Sequence, residues 1–187
     1  MSEKKSPSLG YSIEFWCFPN RVWHAVDKTC LQLQNDYDLD VILLLFCIWF
    51  AWQKGSIPQP LLDQAIAFSK VWNPDIVQSL RKTRKCMQDR TMLLEGMSSL
   101  DYEFMLEEIK NWELKAEFFQ QQRLHWLANQ YCEERDKNSY TYAEDNLQRY
   151  CKTIKAKVDP VLLQTLPKLL DFDELFPEES EYSMEEG

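Results

Sequence analysis

Twelve consecutive apolar residues, Val41 to Trp52, lie between an aspartate-rich turn and the polar break Gln53-Lys54-Gly55. In a chain of net charge −9, such a run can be a membrane anchor, the centre of a core, or a surface awaiting a partner. A membrane-spanning helix needs roughly 17 to 25 apolar residues, so the run is short by about two turns. A helix apolar on every side is buried on every side, and the segment therefore reads as the central element of a helical bundle. Strand is the competing reading, given Val41, Ile42, Ile48 and the aromatics. The length and the end signals favour helix, with Asp36, Asp38 and Asp40 before the run and Gly55 after it.

The rest of the chain supports one folded domain. Its 187 residues are too few for two ordinary domains, and a 45% hydrophobic content with seven Trp, eight Tyr and ten Phe is far above that of disordered chains. The N-terminus, MSEKKSPSLGYS, has no apolar stretch of the secretory type, so the chain is expected to be cytoplasmic. Six cysteines contain no C-x-x-C pair, and His24 and His125 are the only histidines. No metal site is expected, and the thiols read as small buried hydrophobes.

Periodicity predicts helices almost throughout. Pro19 stands at the start of the first, whose face is Val22, Trp23, Val26, Cys30, Leu31 and Leu33. Pro58 and Pro60 open another, with Leu61, Leu62, Ala65, Ile66, Phe68 and Val71, until Asn73-Pro74 breaks it. A fourth begins at Ile76, Val77 and Leu80 and becomes basic. After a Gly96-Met97-Ser98-Ser99 linker, the longest helix is expected over about Leu100 to Glu134, with Met105, Ile109, Trp112, Ala116 and Phe119 as an a/d stripe packed on the bundle. Thr141-x-x-Glu144 reads as a capping box opening a helix through Ile154. Asp159-Pro160 opens a short last helix limited by Pro167. The expected fold class is all-α: a single helical bundle of about six or seven helices over residues 11–170. A flexible N-terminus (1–10) and a disordered acidic tail (171–187) flank it, and the tail supplies eight of the nine units of net negative charge.

The N-terminal part carries a recognisable pattern: Phe15-Trp16-x-Phe18, then Trp23, then CLQLQNDYDLDVILLLFCIWFAW from Cys30 to Trp52, and VWNPDIVQSLRKTRK from Val71 to Lys85. It resembles a proteobacterial helical family, domain of unknown function 2390, over about residues 12–115. Ile42 departs from that pattern, standing where the family has Asn after Asp-Val, and the chain runs on past the usual family length. The resemblance implies an all-helical fold and no known activity, substrate or catalytic residue. In acidity and size the chain is also similar to small adaptors and chaperones of bacterial type IVB secretion systems. Its PEESEYSMEEG ending is similar to glutamate-block export signals on substrates of those systems.

Chemistry-bearing motifs are sparse. Four scattered glycines cannot form a phosphate-cradling loop. His24, with Asp27 one turn on, and His125, between Leu124 and Trp126, read as structural histidines. Glu107-Glu108 and Glu133-Glu134 read as solvated helix faces. The basic run Arg81, Lys82, Arg84 and Lys85, followed by Arg90, is too small a patch for nucleic acid in a chain of pI near 4.8. Its default reading is a solvated helix end, where cations complement the dipole, and the sharper expectation is that it docks an acidic segment, either the chain's own tail or a partner's helix. Trp112 and Trp126 join these four as expected partner-binding residues, because tryptophan is favoured at binding hot spots. No cofactor and no catalytic residue is expected. The expected function is a non-enzymatic protein-binding adaptor or chaperone-like subunit, in its narrowest form part of a type IV secretion system. The alternatives are a secreted effector and an enzyme of unrecognised type.

Overall fold

The aspartate cluster ends one helix and starts the next. In this computed structural model, which describes residues 14–89, 98–131 and 139–170, a 3-10 turn (Phe15–Cys17) leads into α1 (Phe18–Tyr37), with Pro19 in its first turn. Asp38 closes α1 at φ 54°, a left-handed conformation that aspartate tolerates better than most residues. Asp40 then caps α2 (Val41–Lys54). Its Oδ1 accepts from the amides of Ile42 at 2.8 Å and Leu43 at 3.3 Å, two of the donors that a helix start leaves open. Gly55, at φ 90°, closes α2 as its sequence position suggests.

Every side chain from Val41 to Trp52 is buried. The run is the centre of the bundle, and among the described residues no helix is long and apolar enough to cross a membrane. Around α2 stand α3 (Gln59–Trp72), α4 (Gln78–Asp89), α5 (Ser99–Ala128), α6 (Ser139–Ile154) and α7 (Pro160–Lys168). The described residues contain seven α-helices and no strand.

The closest cover for α2 is α6. Leu147, Tyr150 and Cys151 pack into the same core as Phe46, Trp49 and Phe50. Fully buried Asn146 ties the two together: its Oδ1 accepts from Ile57 N at 2.8 Å, and its Nδ2 donates to the carbonyls of Gly55 at 3.1 Å and Cys47 at 3.2 Å. At the other end of α2, Tyr150 Oη accepts from Asp40 N at 3.2 Å. Lys54, in the last turn of α2, donates to the carbonyls of Ala128 and Tyr131, placing a cation at the negative end of α5.

Some expected boundaries shift. Asn73-Pro74 does not break the helix: a π turn, Asn73–Val77, carries α3 into α4, and its wider backbone accommodates a proline that cannot donate. The long helix ends at Ala128, not near Glu134. α6 begins at Ser139, so Thr141 lies within the helix instead of capping it, and Pro167 is inside α7. The expected stripe on α5 is displaced. Its least exposed line is Tyr102, Leu106, Ile109, Glu113, Ala116, Gln120, Leu124 and Leu127, whereas Met105, Trp112 and Phe119 stand to one side and are half exposed. The flexible N-terminus, Arg90, the Gly96-Met97 linker, Glu133-Glu134 and the acidic tail lie outside the described residues.

Candidate functional site

The inner line of α5 carries a charge where apolar patterning has none. Glu113 faces inward from α5 with its side chain only 8% exposed, and two arginines from α4 meet it. Arg81 Nε donates to Glu113 Oε1 at 2.9 Å, Arg84 Nε donates to Oε2 at 2.6 Å, and Arg81 also reaches Glu117 at 2.6 Å. No residue of α4 is buried, so these bonds, with a hydrogen bond from Tyr102 Oη to the Met87 carbonyl, are the main anchors of α4 on α5. Lys82 and Lys85 remain exposed on α4.

This lattice lines part of a cleft of about 490 Å³. The rest of its lining comes from α1, the first turns of α2, the π turn and α5. Trp23, Leu31 and Leu114 belong to that lining, and all three are substantially exposed. Ile42, at the position where the family pattern has Asn, lines the cleft with Val41 and Leu45. A second cleft of about 320 Å³ lies beyond Asp40 and Asn73, which line both.

Between the clefts sits a polar network. Gln120, fully buried, donates through Nε2 to Asp40 Oδ2 at 2.7 Å and to Ser69 Oγ at 3.1 Å. Its own Oε1 has no partner. Burial pushes the Asp40 carboxyl above its usual range, only partly offset by hydrogen bonds from Gln120, Asn73 and the α2 amides. Burial likewise raises Glu117 against the pull of Arg81. At Glu113, burial acts upward too, but the bonds from Arg84 and Arg81 outweigh it and the carboxyl is lowered.

These shifts give stability a pH dependence of two signs. Asp40 and Glu117 hold a proton more tightly folded than unfolded, so acidification toward the ordinary carboxylate range favours the fold through them. The contribution of Glu113 is present above its ordinary value of 4.5 and is lost as pH falls through its lowered value. Glu113→Ala is expected to cost about 2 kcal/mol through the charged hydrogen bonds it removes. It should also speed amide exchange across α4 more than across α2, and reduce the acid-side loss of thermal midpoint. Unchanged exchange in α4 would refute the clamp.

The other candidates lie apart from this network. His125 Nδ1 accepts from Phe15 N at 3.1 Å, and its ring lies against Trp16 and Trp49. Burial depresses its basicity, so the neutral ring is favoured. His24 is exposed, and Asp27 Oδ1 accepts from Lys28 N. Glu107 pairs with Lys110 on the surface. Cys30, Cys47 and Cys151 are buried thiols, with burial raising Cys30 to about 12 and Cys151 to about 11, far from a reactive thiolate. Cys17 and Cys86 are exposed.

Of the six residues expected to bind a partner, Arg81, Arg84 and Lys85 line the large cleft. Lys82 is exposed outside its lining, and Trp112 and Trp126 lie on another side of α5. Trp23, Leu31 and Leu114 are the cleft residues that sequence reading placed elsewhere. The first two belonged to the expected inner face of α1, and Leu114 had no role.

Residues 14–124 match the family model described as protein of unknown function (DUF2390). The chain belongs to the DUF2390 family. No curated protein and no solved structure matches it. The DUF2390 match takes in the FW-x-F start, α2 and the Leu80-Arg81-x-x-Arg84 segment, whose two arginines here make the clamp on Glu113. It stops before α6 and α7, so part of the cover of α2 comes from beyond the matched region.

Proposed function

We propose that this DUF2390 protein is a non-enzymatic protein-binding adaptor or chaperone-like subunit that holds a short amphipathic segment of a partner in the large cleft. One observation carries the reading: Trp23, Leu31 and Leu114, from two helices, line one cleft while substantially exposed, and the arginines of the same lining, Arg81 and Arg84, are already paired. Exposed apolar side chains lining one groove mark a docking surface more often than a reaction centre. Lys85 in its lining, with Lys82 exposed on the same helix, suits an acidic flank on the partner. Membership of a secretion system, where the partner would be a coupling protein or an effector, is the narrower form and draws on the acidic tail composition.

Affinity capture from the native host's lysate tests this with two double variants, Trp23→Ala with Leu114→Ala and Lys82→Glu with Lys85→Glu. None of the altered side chains belongs to the buried core, so the fold should be retained. A stoichiometric partner on the parent chain is expected to be lost with the first pair and weakened with the second. Retention on both variants would remove the cleft from the reading.

A further inference from the structure

The other side of α5 carries a second unpartnered surface. Met105, Trp112, Phe119 and Trp126 recur every seven residues and are each about half exposed, at 49–56%. An α-helix turns through nearly two full turns in seven residues, so the four form one nearly straight line drifting by only about 20° per step. At 1.5 Å per residue the line is about 32 Å long. Phe119 stacks on Trp72 at 4.7 Å, and Trp72 on Phe68 at 5.8 Å, so an aromatic ladder from α3 supports its middle. Exposed aromatics in heptad register are suited to packing against another helix.

The charges beside the line indicate which helix. Its N-terminal half is flanked by Asp101 and Glu108, and its C-terminal half by Lys115 and Arg123. Lys115 Nζ lies 4.7 Å from the Trp112 ring centre and the Arg123 guanidinium 4.3 Å from that of Trp126, so both cations stand at the apolar line. A second α5 laid parallel would put like charges side by side. Laid antiparallel about a two-fold axis between residues 115 and 116, it sets Met105 level with Trp126, Trp112 level with Phe119, and Glu108 level with Arg123. The two copies of Lys115 then stand near each other at the axis, one like-charge pair against two Glu108–Arg123 pairs, so the balance of charge favours this isologous arrangement.

We infer that the protein forms an antiparallel two-fold dimer through this face of α5. The large cleft lies on another side of the helix, so each copy keeps its cleft open and the dimer presents two. The inference stands whether or not the cleft binds a partner.

Sedimentation equilibrium of the purified full chain and of charge variants tests it. The parent chain is expected to be a dimer at micromolar concentration. Trp112→Glu should give a monomer of unchanged helicity. Arg123→Glu should weaken association about tenfold, and Glu108→Arg added to Arg123→Glu should restore it. A parent chain monomeric at every concentration would overturn the inference. So would a dimer that ignores Arg123→Glu, or one that the double reversal fails to restore.

Discussion

Ending the chain at Tyr131 is expected to abolish cooperative folding. The lost segment contributes Leu147, Tyr150, Cys151, Leu163, Leu166 and Leu170 to the core that surrounds α2. At about 2 kcal/mol for each well-buried side chain, the loss is of order 10 kcal/mol, comparable with the entire net stability of an ordinary domain. It also strips Asn146 from Ile57 N and the Gly55 carbonyl, leaving buried polar groups without partners. Thermal melting followed by near-ultraviolet circular dichroism should show no sharp transition, with a hydrophobic dye bound at room temperature. Asn146→Ala in the full chain should keep the transition and lose about 3 kcal/mol. A truncated chain that melted sharply near the parental midpoint would show that residues 14–131 are self-sufficient and that α6 is an accessory.

The second large effect is at Asp40. Its carboxylate caps α2 and receives Gln120, so Asp40→Ala should cost about 3 kcal/mol, combining a lost cap with a buried donor left short of an acceptor. Asp40→Asn should cost less than about 1 kcal/mol. Asparagine caps nearly as well, and a turned Gln120 amide would present its unpartnered Oε1 to the new Nδ2. The change also removes a charge that burial disfavours, so the gain in stability on mild acidification should shrink. Denaturant unfolding of both variants at two pH values measures this. Equal losses for Asp40→Ala and Asp40→Asn would mean that the negative charge itself, facing Asn73 and the helix amides, carries the stability.

The same network shows where sequence was a good guide and where it misled. Asp40 and Gly55 bound a helix apolar on all sides, and that combination has essentially one solution, a buried central helix. The caps act through backbone geometry within a few residues, which is why they could be read locally. Glu113 and Gln120 could not be read this way, because a buried carboxylate or amide becomes tolerable only through partners from α4 or the α1–α2 junction. Apolar patterning therefore placed Ile109 and Ala116 correctly on the inner line of α5 but put Met105, Trp112 and Phe119 where Leu106, Glu113 and Gln120 lie. The basic run was expected to dock the chain's own tail or a partner's helix, and at Arg81 and Arg84 the acidic segment it meets is instead α5 of the same chain. The cleft was illegible for a similar reason: Trp23 and Leu31 belong to the apolar pattern of α1, and only the placement of α5 turns them into a groove wall.

The dependence of α2 on α6 also has a consequence for biosynthesis. Asp40 meets Tyr150, and Ile57 meets Asn146, across 110 and 89 residues of chain. At roughly 5–20 residues per second, the ribosome releases the most apolar segment several seconds before α6, a main part of its cover, exists. For that interval the nascent chain carries a sticky helix that α1, α3 and α5 can cover only in part. Its yield in the cell should therefore depend on holdase capacity and on translation speed between α2 and α6, more than on the stability of the finished fold.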